Sequence, residues 1–185
     1  MTELFPKVSW FRTGYDRDQV NEFFSVVRAA YEQPAVDPNG VSPLTIREAA
    51  FDLARRGYRT DSVDLALDRL EDAFAGRIRD QYITQYGQDA WQQDLAGRAE
   101  VLYDRLRRPL RERFDRPRAL HKGYDAKQVD DLVDRITAFF DSGTPLSAAD
   151  IRSAAFVRRG SRRAYSERQV DAFLARTVDI LLGVS

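Results

Sequence analysis

A short string built on Gly-Tyr recurs along this 185-residue chain and constrains its fold more than any other feature. Gly14-Tyr15-Asp16-Arg17-Asp18-Gln19-Val20-Asn21 is echoed by Gly123-Tyr124-Asp125-Ala126-Lys127-Gln128-Val129-Asp130. Two weaker copies, Gly57-Tyr58-Arg59-Thr60-Asp61-Ser62-Val63-Asp64 and Ala164-Tyr165-Ser166-Glu167-Arg168-Gln169-Val170-Asp171, keep Val five residues after Tyr and Asp at the sixth. Such self-similarity marks a chain assembled from copies of one supersecondary unit. Counting on from each Val, positions +3, +4, +7 and +11 read Phe23, Phe24, Val27, Tyr31; Ala66, Leu67, Leu70, Phe74; Leu132, Val133, Ile136, Phe140; and Phe173, Leu174, Thr177, Leu181. That spacing is the apolar face of a helix, so each copy predicts a helix start followed by a core-facing stripe.

The starts have a chemical reason. Asp16, Asp125 and Ser166 are good N-caps, and Gln19, Gln128 and Gln169 stand three residues on, the arrangement of a capping box. The acid or amide after each Val lies in the first turn, where it opposes the positive end of the helix dipole. Tyr15, Tyr58, Tyr124 and Tyr165 precede the caps and are expected to fold back on their own helices as structural staples.

A second layer of repetition pairs the copies. Ile46-Arg47-Glu48-Ala49-Ala50-Phe51 precedes copy two and Ile151-Arg152-Ser153-Ala154-Ala155-Phe156 precedes copy four, each reading as a short leader helix. Ser42-Pro43 and Ser147 supply its turn and cap. Copies one and three have instead a lone Phe ten residues before Tyr, Phe5 and Phe114. The expected fold is therefore all-α, with short helical hairpin-like repeats in two duplicated halves joined by a helical linker. Residues 1–75 form the first pair, 76–113 the linker and 114–185 the second pair. Pro34 to Gly40 reads as a loop, and no alternating apolar pattern argues for strands.

With Phe5-Pro6-Lys7 and Phe11-Arg12-Thr13-Gly14-Tyr15-Asp16 ahead of Val20-Asn21-Glu22-Phe23, the first copy resembles the N-terminal domain of the DivIVA family of bacterial cell-division and polarity proteins. The stretch Leu146-Ser147-Ala148-Ala149-Asp150-Ile151 with Phe156 is similar to that family's leader. The resemblance implies a cytoplasmic scaffold whose protein partners belong to division, polar-growth or envelope machinery. It also implies an exposed Phe beside Arg, here Phe11 and Arg12, that engages an anionic membrane at its inner face. The matching loops of the other copies are basic without an aromatic tip: Arg55-Arg56, Leu120-His121-Lys122 and Arg162-Arg163. Tyr15, Asp16, Val20, Tyr58, Val63, Tyr124, Asp125, Val129, Tyr165 and Val170 are then structural. The inserted Thr13 separates Arg12 from Gly14, a departure from the family pattern. The long coiled coil that oligomerises such proteins is missing, which suggests an intramolecular pseudo-dimer that is a monomer or small homo-oligomer.

The remaining inventory narrows the function classes. The chain has no Cys and one His, and lacks a Gly-rich phosphate loop or paired metal-ligand spacing, so an enzyme, a metal site and a bound cofactor are not expected. Twenty-nine basic and 29 acidic residues balance, leaving no global field to drive nucleic-acid binding. The one local candidate is the arginine cluster from Arg105 to Arg118 around Pro109, whose alternative reading is a solvated helix end; nucleic acid bound there would be held weakly and lost with salt. No apolar run is long enough to span a membrane, so contact with one would be peripheral.

Overall fold

The computed structural model describes residues 3–37 and 39–184. It is mainly helical and divides into two compact units, Met1–Gly87 and Gln88–Ser185. In the first unit, strand β1 (Thr13–Tyr15) leads into helix α1 (Arg17–Tyr31), and a short helix α2 (Pro43–Arg47) leads through strand β2 (Leu53–Arg55) into the long helix α3 (Thr60–Tyr86). The second unit begins with helix α4 (Gln88–Leu106). Strand β3 (Lys122–Asp125) and helix α5 (Ala126–Ser142) follow, then helix α6 (Ala148–Arg152), strands β4 (Arg158–Gly160) and β5 (Ala164–Tyr165), and helix α7 (Glu167–Val184).

The helices start where the side chains say they should. Asp16 accepts hydrogen bonds from the Asp18 and Gln19 N–H groups, and Asp125 does the same for Lys127 and Gln128. Ser42 caps α2, with Pro43 in the first turn, and Ser147 caps α6 in a capping box with Asp150. α3 has no side-chain cap, because Arg59 stands where the other copies have Asp or Ser. It ends at Gly87 with φ +90, and α5 ends at Gly143 in the left-handed region, conformations that a β-carbon would strain.

The stripes counted from each Val become the cores. Val20, Val27, Ile46, Tyr58, Val63, Leu67 and Phe74 form the buried cluster of the first unit. In the second, Val129, Val133, Ile136, Val170, Phe173 and Leu181 are buried together with Leu102 and Leu106 of α4. Each apolar side chain fully buried this way contributes about 1.5–3 kcal/mol.

Two expectations need correction. The fold is mainly α but not all-α: β1 pairs antiparallel with β2, and β3 lies between β4 and β5. These strands are two to four residues long, too short for any alternating pattern, and are created by paired glycine loops instead of by propensity. Residues 76–113 also do not stand apart from both units. Residues 76–86 continue α3, while α4 packs into the second unit, where the Trp91 indole N–H donates to the Gly183 carbonyl at 3.0 Å.

Candidate functional site

The repeated strings meet in pairs within each unit, Gly14-Tyr15 with Gly57-Tyr58 and Gly123-Tyr124 with Ala164-Tyr165. Tyr15 and Tyr58 exchange both backbone hydrogen bonds at 2.9 Å. A β-carbon on Gly14 would overlap the Tyr58 carbonyl, and one on Gly57 would overlap the Tyr15 carbonyl, so glycine here permits two backbones to touch. In the second unit Tyr124 pairs with Tyr165, and a β-carbon on Gly123 would overlap the Tyr165 carbonyl.

The tyrosines cross over, contrary to the expectation that each staples its own helix. Tyr58 donates its hydroxyl to Asn21 on α1, and Tyr165 donates to Asp130 on α5. The Tyr15 hydroxyl faces the Asp64 carboxyl on α3, and the Tyr124 hydroxyl faces Asp171 on α7. Each ring rests edge-on or tilted against the Phe that precedes the other copy: Phe51 on Tyr15, Phe5 on Tyr58, Phe156 on Tyr124 and Phe114 on Tyr165, all with centroids 5.2–5.5 Å apart. The backbone just after that Phe then accepts from the facing cap. Asp16, Arg59, Asp125 and Ser166 donate to the carbonyls of Asp52, Pro6, Val157 and Asp115.

The glutamines follow the same rule, which corrects the capping-box reading. Gln19 reaches Asp52, Gln128 accepts from the Val157 N–H, and Gln169 accepts from the Asp115 N–H while donating to its carboxylate. The cap's own N–H is already taken by a carbonyl of the facing copy, so the glutamine bonds to that same passing chain.

Burial, reinforced by Asp64, raises the Tyr15 hydroxyl above its ordinary value, and burial with Asp171 does the same for Tyr124. Tyr165 is pushed up to about 12, chiefly by burial. Burial raises the Asp64 and Asp171 carboxyls above the ordinary carboxylate range. The tyrosine hydroxyls therefore stay protonated at neutral pH.

Pairing carries the preceding loops outward as tips. In the first unit the Arg12 N–H donates to the Ser9 carbonyl at 2.9 Å, closing a tight turn with Trp10 and Phe11 at its corners. Trp10 is 73% exposed and Phe11 69%, and their rings lie edge to face. Thr13 pairs with Arg55, so the exposed cations Arg12, Arg55 and Arg56 lie at the same end of the β1–β2 pair as the turn. Trp10 belongs with Phe11 in this tip although the sequence reading named Phe11 alone; a second aromatic at the other corner of a turn was the signal available.

The second unit has the corresponding turn. His121 N–H donates to the Arg118 carbonyl at 3.0 Å, and the corners are Ala119 and Leu120. Leu120 is fully exposed at φ +69. Lys122 pairs with Gly160, bringing His121 and Lys122 near the exposed turn that carries Arg162 and Arg163. Arg158 and Arg159 are held by Glu167 and Asp125.

The arginine cluster is partly committed to the fold. Arg113 is buried, bonding the Asp130 carbonyl and the Asp134 carboxylate, while Arg105 stacks over Phe114 and bonds the Arg113 carbonyl. Arg107 lies over Tyr103. No group of three or more potential metal ligands occurs among the described residues, and no helix is long and apolar enough to cross a membrane. No protein-family model, curated protein or solved structure matches this chain.

Proposed function

We propose that this chain is a non-catalytic scaffold that docks on an anionic membrane surface through loops presented by two crossed pairs of helix starts. The reading carries over the likeness of the Phe11-Arg12 to Asn21 string to the DivIVA domain, with division or envelope machinery as its setting. It takes the two units as duplicated pairs, so that one chain provides internally the partnership that such a domain obtains from a second copy. The observation that carries it is the turn at Trp10 and Phe11: two large rings held in solvent, with Arg12, Arg55 and Arg56 at the same end of the β1–β2 pair.

Physical magnitudes agree with this use. Transfer of an aromatic side chain out of water is worth about 1.5–3 kcal/mol, and each cation near an anionic surface about 1 kcal/mol. Stable peripheral attachment takes two such signals, and this tip holds both kinds. Arg118, His121, Lys122, Arg162 and Arg163 give the second unit a more electrostatic tip, with Leu120 as its apolar point. Arg113 and Arg105 have their charge taken up by Asp130, Asp134 and Phe114, which weighs against a nucleic-acid surface there.

Sedimentation with vesicles tests the reading. The chain is expected to pellet with vesicles containing anionic phospholipid and not with neutral ones. Phe11→Ser should weaken pelleting roughly tenfold or more. Absence of wild-type pelleting removes the membrane role, and pelleting unaffected by Phe11→Ser moves it to the basic loops.

A further inference from the structure

The two units treat one face of their paired helices differently. In the second unit α4 covers that face. Its start meets the end of α7, where Trp91 and Leu95 contact Gly183, and its end meets the start of α7, with Leu102 and Arg105 beside Phe173 and Gln169. Tyr103 packs on Phe140 of α5 at 5.9 Å, and the following chain inserts Arg113 against Asp130 and Asp134. α4 thus runs antiparallel to α7 with an apolar seam of Trp91, Leu95, Leu102 and Leu106.

Counted from the motif valines, Phe24, Tyr31 and Leu70 of the first unit match Val133, Phe140 and Thr177, and Leu4 stands before Phe5 as Arg113 stands before Phe114. These four residues line a groove of about 420 Å³, rimmed by Asn21, Ser25, Arg28 and Glu32. Leu4 is 46% exposed and Tyr31 43%. The changes are coordinated: where the second unit has an internal cation and two acids, the first has Leu4, Asn21 and Ser25. The plug at the Arg113 position is replaced by Leu4, and Arg77 is held over the Tyr31 ring at 5.2 Å and donates to the Tyr31 and Gln33 carbonyls.

We infer that this groove binds an amphipathic helix from a partner protein, lying antiparallel to α3 as α4 lies on α7. Helix-in-groove recognition uses apolar anchors at helical spacing, and the floor from Asn21 to Glu32 is about 16 Å long, room for three turns. The rim specifies charge. Arg28 and Glu32 flank Tyr31 on α1, so an antiparallel partner helix meets Glu32 with a basic residue and Arg28 with an acidic one four positions later. This inference does not rest on the membrane reading, since it uses neither tip.

The probe is a synthetic peptide of the α4 sequence, Gln88 to Leu106, carrying Glu100→Lys, which places a cation four residues before Asp104 and flanks Tyr103 as Arg28 and Glu32 flank Tyr31. Titrated without vesicles into the intact chain, it should bind saturably, and the unmodified sequence, with Glu100 facing Glu32, should bind severalfold more weakly. Leu4→Glu, at an exposed position, should reduce affinity at least tenfold while leaving the thermal midpoint unchanged; Arg28→Glu should reduce it severalfold. No binding, binding indifferent to both variants, or amide shifts at Gly183 showing displacement of α4 would each overturn the inference. So would a concentration-dependent dimer abolished by Leu4→Glu, because a second copy would then be the occupant.

Discussion

The first unit carries two aromatic rings at its turn, where the second carries one leucine, and the second buries an arginine where the first has Leu4. At the end of the strand pair that bears Trp10 and Phe11 the cations Arg12, Arg55 and Arg56 face solvent, and the same unit buries an ion pair between Arg47 and Glu71. The second unit has Ala119 and Leu120 at the corners of its turn with His121 and Lys122 exposed beside them, buries Arg113 against Asp130 and Asp134, and closes its helix face with α4. One crossed-start scaffold thus supports an apolar contact surface in one case and a sealed, electrostatic one in the other. The shared part is reciprocity: each glycine, tyrosine, phenylalanine and cap finds its partner in the facing copy.

The largest effect should come from breaking the backbone contact. Gly123→Val or Gly57→Val places a side chain inside a facing carbonyl and is expected to cost at least about 3 kcal/mol in denaturant unfolding, whereas Ala164→Gly should cost under about 1 kcal/mol. Equal tolerance at Gly57 and Ala164 would contradict the close backbone approach at Gly57. Next, Arg113→Met leaves the buried Asp130 without its cation and should cost about 3–5 kcal/mol, while Asp134→Asn, at a carboxylate that is largely exposed, should cost under about 1 kcal/mol.

Tyrosine hydroxyls come third. Tyr165→Phe leaves a buried carboxylate short of a donor and is expected to cost about 1–3 kcal/mol, and Tyr58→Phe, which frees the neutral Asn21, about 1 kcal/mol. Similar losses would show that the charge at Asp130 is compensated by Arg113 and the Arg111 N–H alone.

How much of this was legible in the sequence follows from distance along the chain. The caps at Asp16, Asp125 and Ser147 and the stripes after Val20, Val63, Val129 and Val170 were readable because their causes lie within one or two helical turns. The destination of Gln19 or Tyr58 was not, since a local rule offers each a partner on its own helix and only the crossing supplies a better one 33 or 37 residues away. The strands were illegible for the same reason. Trp10 and Leu120 were displayed in sequence, yet what exposes them is a turn closed by Ser9 with Arg12 and by Arg118 with His121.

The smallest effect is a pH dependence. Asp64 and Asp171 have carboxyls raised on folding, so their contribution is full below the ordinary carboxylate range and is lost as pH rises through the folded value. Asp64→Asn, which copies Asn21, should therefore gain stability over wild type at pH 7, with the gain fading as pH falls through that range. A gain that grows on acidification would contradict the assignment.

The most direct measurement of the membrane claim uses the chain's own fluorophores. Trp10 is 73% exposed and Trp91 4%, so in a Trp91→Phe background the emission reports the tip alone. Addition of anionic vesicles should shift Trp10 emission to the blue and shield it from an aqueous quencher, neutral vesicles should do neither, and Phe11→Ser should diminish both changes. Emission that stays red and fully quenchable on anionic vesicles would contradict insertion of this turn and with it the proposed function of the first unit.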